Sequence, residues 1–206
     1  MAVTEIMVTG GPGAGKTTGI RLAADRIRAS GLNMMVAPEA ATIMFNTGVR
    51  PDQLGADPSR HVFQDGVYRV TKTIRAACLG IADALYQGRC IILYDRGELD
   101  GLVYGNHDDI IRMIEADGTS VQDIVNSYSA VIHMETAAKL SAAHYVTHNN
   151  SARTVNPQQA VSEDIRVFKL WARHPDVHTV RAMDDFDEKV DALIGAIMRI
   201  APSWGA

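Results

Sequence analysis

Residues 8–18 read VTGGPGAGKTT. Within this stretch Gly10, Gly15, Lys16 and Thr17 satisfy the spacing G-x-x-x-x-G-K-[ST]. The flanks agree with it. Apolar residues Ile6 to Val8 precede the glycines, and a run with Ile20, Ala23, Ala24 and Ile27 on one helical face follows them. Glycines let successive backbone N–H groups converge on one anion, and the helix that follows points its positive end at the same place. The stretch Gly10, Gly11, Pro12, Gly13, Ala14, Gly15, Lys16, Thr17, Thr18 is therefore expected to cradle a nucleoside triphosphate. Lys16 supplies a point charge for the β- and γ-phosphates, and the Thr17 hydroxyl is suited to ligate Mg2+. A glycine-rich turn that merely imitates the motif would not need both flanking elements.

Working outward, short apolar runs alternate with helical patterns, the sequence form of a parallel sheet wrapped by helices. Strands are predicted at Ile6–Val8, Met34–Val36, Cys90–Tyr94, Val131–Met134 and Val177–Val180. Gly31 is expected to close the first helix. A long helix is predicted from His61 to Gln87, after a loop marked by Pro51 and Pro58. Asn156 followed by Pro157 reads as an N-cap with proline in the first turn, opening a helix to about Arg173. In the last helix Phe186, Val190, Leu193, Ile194 and Ile197 form a stripe expected to pack on the sheet. The polar, turn-rich segments 46–59 and 147–157 have the composition of lids, and 147–157 is the stronger candidate.

At 206 residues the chain is expected to form a single domain, 1–206. Its 47% hydrophobic and 21% charged residues exclude disordered and fibrous classes. A formal charge of −4 argues against coating nucleic acid by bulk electrostatics, although a local basic groove stays open. Cys78 and Cys90 are the only cysteines and form no CxxC pair, which suits a reducing compartment. The start MAVTEIMVTGG is unlike a signal peptide, and no apolar run approaches the roughly 18 residues of a spanning helix. A cytoplasmic protein, monomer or homodimer, is expected. The seven histidines show no metal-ligand spacing.

A Mg2+ site requires a partner at the end of another strand. The run CIILYDRG (90–97) offers Asp95, although Asp and Gly also favour an ordinary strand-ending turn. A second carboxylate, Glu39, follows the run MMVAP (34–38).

These features resemble the P-loop kinase branch, the group of thymidylate kinase, deoxynucleoside kinases and NadR-type ribosylnicotinamide kinases. More closely, the chain resembles a family of small kinase-like ATP/GTP-binding AAA domains. The resemblance rests on TGGPGAGKTT, PEAAT, FQ, DRGELDGLVYG, NNSAR and DDFDEKV and runs from Met7 to Lys189. It implies a P-loop NTPase fold of the α/β class: a five-stranded parallel sheet, order 2-3-1-4-5, flanked by helices, with a lid. By the same resemblance Glu39 in PEAAT is a general base on the acceptor, beside Asp95 at the ligand-binding strand edge. A helix N-terminal charge is its competing reading. Arg96 resembles the arginine that grips substrate or its phosphate, against a surface residue beside a turn. Asp100 and Tyr104 would line the acceptor pocket, or serve as helix cap and core. Gln64 loosely matches a base-reading glutamine, against a plain helix residue, and Phe63 is either core or a stacking surface. Arg153 would be the lid arginine over the transferring phosphate, although one arginine in that segment is fewer than such lids usually carry.

Two functions follow as expectations. One is a kinase using Mg2+ and ATP, with GTP as the other possible donor, that phosphorylates a hydroxyl or phosphate on a nucleoside, nucleotide or related small molecule. A hydroxymethyl-pyrimidine within DNA is a further acceptor, for which Arg60, Arg69, Lys72 and Arg75 could form a basic helix face. A solvated face explains those residues more simply. The other function is a nucleotide-operated regulator that recruits a protein or lipid partner.

Overall fold

The structure, a computed structural model, describes residues 3–55, 58–141, 145 and 155–201. Five strands form one parallel sheet: β1 (Thr4–Thr9), β2 (Met34–Ala37), β3 (Ile91–Asp95), β4 (Ala130–Met134) and β5 (Val177–Val180). Their order is β2-β3-β1-β4-β5, as the resemblance implied. The helices are α1 (Lys16–Ala29), α2 (Ala40–Phe45), α3 (Ser59–Tyr86), α4 (Gly101–Tyr104), α5 (His107–Ala116), α6 (Val121–Asn126), α7 (Pro157–Trp171) and α8 (Phe186–Ile200).

The central strand β1 pairs with β3 through Thr4–Ile91 to Val8–Asp95 and with β4 through Ile6–Ala130 to Thr9–His133. It is covered on both faces, so its apolar residues divide by the two-residue period. Ile6 and Val8 join Ile20, Ala24, Leu193 and Ile197 under α1 and α8. Met7 joins Ile92, Tyr94, Leu99 and Trp171 under α3 to α7. Each such fully buried aliphatic side chain contributes about 1.5–3 kcal/mol of transfer free energy.

Local punctuation matches the sequence reading. Gly31, at φ 91°, donates its N–H to the Arg28 carbonyl and ends α1. Asn156 accepts from the Gln159 N–H, Gln159 returns the bond, and Pro157 opens α7. The long helix begins at Ser59, two residues before its predicted start. Gln87 caps it in the left-handed region at φ 52°. The segment 46–55 contains a short 3-10 turn at Pro51–Gln53. Arg153 and most of the candidate lid, 147–154, lie outside the described residues. No helix among the described residues is long and apolar enough to cross a membrane.

Both cysteines are buried free thiols, and burial pushes Cys90 up to about 11 and raises Cys78 as well. At pH 8 a thiol with that pKa is ionised in only about one molecule in a thousand. Iodoacetamide at pH 8 is therefore expected to leave both unmodified in the folded protein and to alkylate both in denaturant. Mass spectrometry checks this, and fast modification of the native protein would contradict the packing.

Candidate functional site

The phosphate loop joins β1 to α1 at the C-terminal edge of the sheet. Gly10, Gly13 and Gly15 adopt φ 145°, 75° and 79°, conformations that L side chains rarely take. Space is equally restrictive. A Cβ on Gly10 would lie 2.0 Å from the Met134 carbonyl oxygen, and one on Gly15 would lie 2.5 Å from the Phe186 ring. Phe186 thus corrects the predicted stripe on α8: it is 37% exposed and rests on the loop, while Val190, Leu193 and Ile197 enter the core.

The loop is held from outside by polar groups. Thr136 Oγ1 donates to the Pro12 carbonyl at 2.5 Å, and the Ala137 N–H donates to the Gly13 carbonyl at 3.3 Å. Lys189 Nζ donates to the Ala14 and Glu135 carbonyls at 2.8 and 2.6 Å. The Gly11 N–H donates to Asp164 Oδ1 at 2.8 Å. Lys16, the first residue of α1, is buried and donates to the Gly10 and Gly11 carbonyls at 2.8 and 3.1 Å. Burial, and then the nearby Arg96 charge, lower its ammonium pKa to about 8.

Asp95 ends β3 directly opposite Val8. Its Oδ2 accepts from Thr17 Oγ1 at 2.6 Å, whereas its Oδ1 is buried with no hydrogen-bond partner. Burial raises the pKa of this carboxyl. A buried unpaired carboxylate oxygen is costly unless something cationic meets it. One carboxylate and one hydroxyl beside a phosphate loop suit a hard divalent cation that takes its remaining oxygens from phosphate and water. No cluster of three or more His, Cys, Asp or Glu fit to hold a metal occurs among the described residues. Asp95 and Thr17 could therefore hold Mg2+ only together with a nucleotide.

Beside this pair lies a partly buried ionic group built on Arg96. Its backbone is left-handed at φ 74°, a conformation that costs a non-glycine residue about 1–3 kcal/mol. The backbone N–H is anchored to the Val8 carbonyl at 3.0 Å. Arg96 Nε donates to Glu39 Oε1 at 2.6 Å, and Nη1 reaches Asp100 Oδ2 and the Tyr104 hydroxyl, both at 3.2 Å. Asp100 also accepts from Thr9 Oγ1 at 3.0 Å and from Trp171 Nε1 at 2.6 Å. Burial pushes the Glu39 carboxyl up, but the Arg96 charge and the Thr42 hydroxyl outweigh it and hold its pKa below the usual value. Glu39 stands at the N-cap of α2 without making a side-chain cap bond, a position that also fits a helix N-terminal charge.

Glu39, Arg96, Asp100 and Tyr104 all line a cleft of about 490 Å³ that begins at Pro12 of the phosphate loop. That volume lies within the range of small-molecule sites, about 300–1,000 Å³. Gln64 reaches the same cleft, lying against Gly101. Phe63 lines it too and stacks on Phe45 with ring centroids 4.7 Å apart, so it is both core and wall. The basic face of α3 is largely the solvated face that explains it more simply: Arg69 pairs with Asp65 and Lys72 with Asp117 at the surface, and only Arg75 is drawn inward, half-buried between Glu5 (2.8 Å) and Glu98 (3.3 Å). Arg60 donates to the Leu54 carbonyl.

Asp164 is the residue the sequence reading missed. It is fully buried on α7 and accepts from the Gly11 and Thr136 amides at 2.8 and 3.2 Å. It also pairs with Lys139 at 2.7 Å and meets His133 at 3.3 Å. Burial opposes its charge, but His133, Lys139 and the Gly11 amide more than compensate and hold its carboxyl far below the usual range. Ala160, Val167 and Trp171 form the buried stripe of α7, and Asp164 falls on that stripe at helical spacing. A charged residue there was the available signal. Asp164→Ala strands two amides and a lysine and is expected to cost about 2–5 kcal/mol of stability. At about 2–4 °C per kcal/mol, the fall in Tm is roughly 4–20 °C by calorimetry. Asp164→Asn, which keeps one acceptor, is expected to lose less. A shift under 1 °C for the alanine variant would show that the loop is held without Asp164.

A family model described as an AAA domain matches residues 5–189 of the chain. No curated protein matches it.

Proposed function

Because the chain belongs to the AAA domain family, a P-loop nucleotide-binding family, we propose that it is a Mg2+-dependent phosphotransferase acting on a nucleoside- or nucleotide-like acceptor. One observation carries the reading: Glu39, Arg96 and Asp100 form a charged group that lines, together with Pro12 of the phosphate loop, a cleft of about 490 Å³. A protein that only binds a triphosphate has no need of a glutamate held ionised by an arginine in that cleft.

In this reading the amides of residues 10–18 and Lys16 hold the triphosphate, with ATP or GTP as donor. Thr17 and Asp95 would hold Mg2+, which would supply charge neutralisation for the phosphates. Glu39 orients the acceptor hydroxyl and takes its proton. Arg96 keeps Glu39 ionised and fixes its carboxylate by a 2.6 Å bond. Asp100 and Tyr104 hold Arg96 in turn, and Gln64 contacts the far part of the acceptor. Arg153 would cover the transferring phosphate. Catalysis is then positioning and charge stabilisation within an excluded site. The family match and a sheet with apolar layers on both faces support one unit over 1–206. The two free thiols fit a cytoplasmic setting.

Arg75, held by Glu5 and Glu98, is drawn out of the basic face considered for a DNA acceptor, which supports a small molecule. A second reading, a nucleotide-operated regulator, is favoured by the exposed apolar pair Ile81 and Leu85, one turn apart on α3. A transfer panel separates the two. Label from the γ-position of ATP or GTP is offered to nucleosides, nucleoside monophosphates, ribosylnicotinamide and hydroxymethyl-pyrimidine DNA. Label on an acceptor supports the kinase, and label released only as free phosphate with every acceptor supports the regulator.

A further inference from the structure

We infer that α7 acts as a ruler between the two halves of the site, fixing the phosphate loop through Asp164 and the Glu39–Arg96 pair through Trp171. Trp171 is thereby a positioning residue for the transfer step, acting through Asp100. The inference rests on the phosphotransferase reading and adds how its donor and acceptor groups keep their spacing.

Both marks of the ruler lie on the buried face of one helix. Asp164 and Trp171 are separated by two helical turns, so they share that face at a spacing of about 10 Å. At each mark α7 presses on a glycine. A Cβ on Gly11 would lie 2.7 Å from the Asp164 Cβ and 3.0 Å from the Ala160 carbonyl oxygen. A Cβ on Gly97 would lie 2.7 Å from the Trp171 indole and 3.1 Å from Met7. Gly97 has φ −118°, a value open to any residue. Packing, and not backbone conformation, therefore excludes a side chain there. Gly97 directly follows Arg96, so the buried indole braces the turn that presents the guanidinium.

The contacts are polar as well as steric. Trp171 Nε1 donates to Asp100 Oδ1 at 2.6 Å. The other oxygen of Asp100 accepts from Thr9 Oγ1 at 3.0 Å and from Arg96 Nη1 at 3.2 Å. Arg96 Nε in turn donates to Glu39 Oε1 at 2.6 Å. Asp100 is buried, so loss of the indole N–H would leave its Oδ1 without a donor. The carboxylate then gains by turning that oxygen to the guanidinium it already touches, at the expense of the bond to Glu39. At the other mark Asp164 accepts from the Gly11 and Thr136 amides at 2.8 and 3.2 Å. Neither side chain lines the cleft, so neither is placed to touch an acceptor. Two anchors on one helix suit a reaction in which a misplacement of about 1 Å costs roughly 10²-fold.

The test uses Trp171→Phe, which keeps an aromatic ring and removes the N–H, in the full chain without ligand. The Arg96 Nε–H signal is identified in 15N-resolved NMR by its absence from Arg96→Lys, and its exchange with solvent is measured. Exchange is expected to be about tenfold or more faster in Trp171→Phe, with the Gly11 amide and the circular dichroism unchanged. Gly97→Ala gives a second perturbation. It is expected to lower the Tm of wild type more than that of Trp171→Phe, whose smaller ring makes room for the methyl. With an acceptor that takes label in the transfer panel, kcat is expected to fall about 10–10²-fold in Trp171→Phe while the KM for Mg·ATP stays within about twofold. Adding Asp164→Asn to that variant should lower kcat by less than Asp164→Asn does alone, because one end of the ruler is already free. Unchanged Arg96 exchange in Trp171→Phe would overturn the inference and leave the indole as packing. Losses of kcat that simply multiply in the double variant would overturn it too. Faster exchange in a chain that labels no acceptor would support the positioning of Arg96 while sinking the phosphotransferase reading.

Discussion

Lys16→Ala is expected to weaken nucleoside triphosphate binding by roughly 10²–10³-fold. Truncating one partner of a buried, hydrogen-bonded charge pair costs about 2–5 kcal/mol, and each 1.4 kcal/mol is tenfold in affinity. Here the lost group is a buried ammonium poised between the Gly10 and Gly11 carbonyls. The loop should persist without it, because Thr136, Ala137, Lys189 and Asp164 also hold residues 11–14. Calorimetric titration with Mg·ATP and Mg·GTP measures the loss, and circular dichroism verifies the fold. Affinity within threefold of wild type would mean that residues 10–18 do not cradle phosphate.

The second large effect is expected from Glu39→Gln: transfer slowed about 10²–10⁴-fold with triphosphate binding nearly unchanged. The amide has the same shape but cannot take the acceptor proton, and it withdraws a charge from Arg96. Single-turnover kinetics separates this from a binding defect, and wild-type turnover would reduce Glu39 to a structural partner of Arg96. The pH dependence has a definite sign. Glu39 is held below its ordinary value of 4.5, so its pairing with Arg96 stabilises the fold fully above that pH. The contribution is lost as pH falls through the lower folded value. Glu39→Gln should therefore flatten the acid side of the stability profile below pH 4.5 while leaving the neutral range level.

The sheet and the loop were legible because their signals are local. Strand cores at 6–8, 34–36 and 91–93 are contiguous apolar runs, and the loop's geometry follows from adjacent glycines. Glu39, Asp95, Arg96, Asp100 and Tyr104 converge because each stands at the C-terminal edge of β2 or β3 or just beyond it. The resemblance carried those expectations, and the strand order explains why the residues meet. Asp164 was not legible in this way: its amide partner Gly11 lies 153 residues earlier, and no local rule links them. Arg75 failed for the same reason. It sits among basic residues that read as one solvated face, yet Glu5, 70 residues away, draws it inward. Phe186 matched the period of its helix, but the first turn of α8 extends past the sheet edge to the glycine turn.

Trp171 carries a consequence for how this protein can be observed. Its indole is buried, is set edge-on against Tyr128 and donates at 2.6 Å to the same Asp100 carboxylate that Arg96 contacts through its other oxygen. A ligand that draws Arg96 or Asp100 into new contacts alters the electric field on that indole, and with it the emission colour and intensity. The chain thus contains its own optical gauge of the cleft. With Trp204 replaced by phenylalanine, an unlabelled sample read in a fluorimeter would rank whole libraries of acceptors before any turnover assay exists.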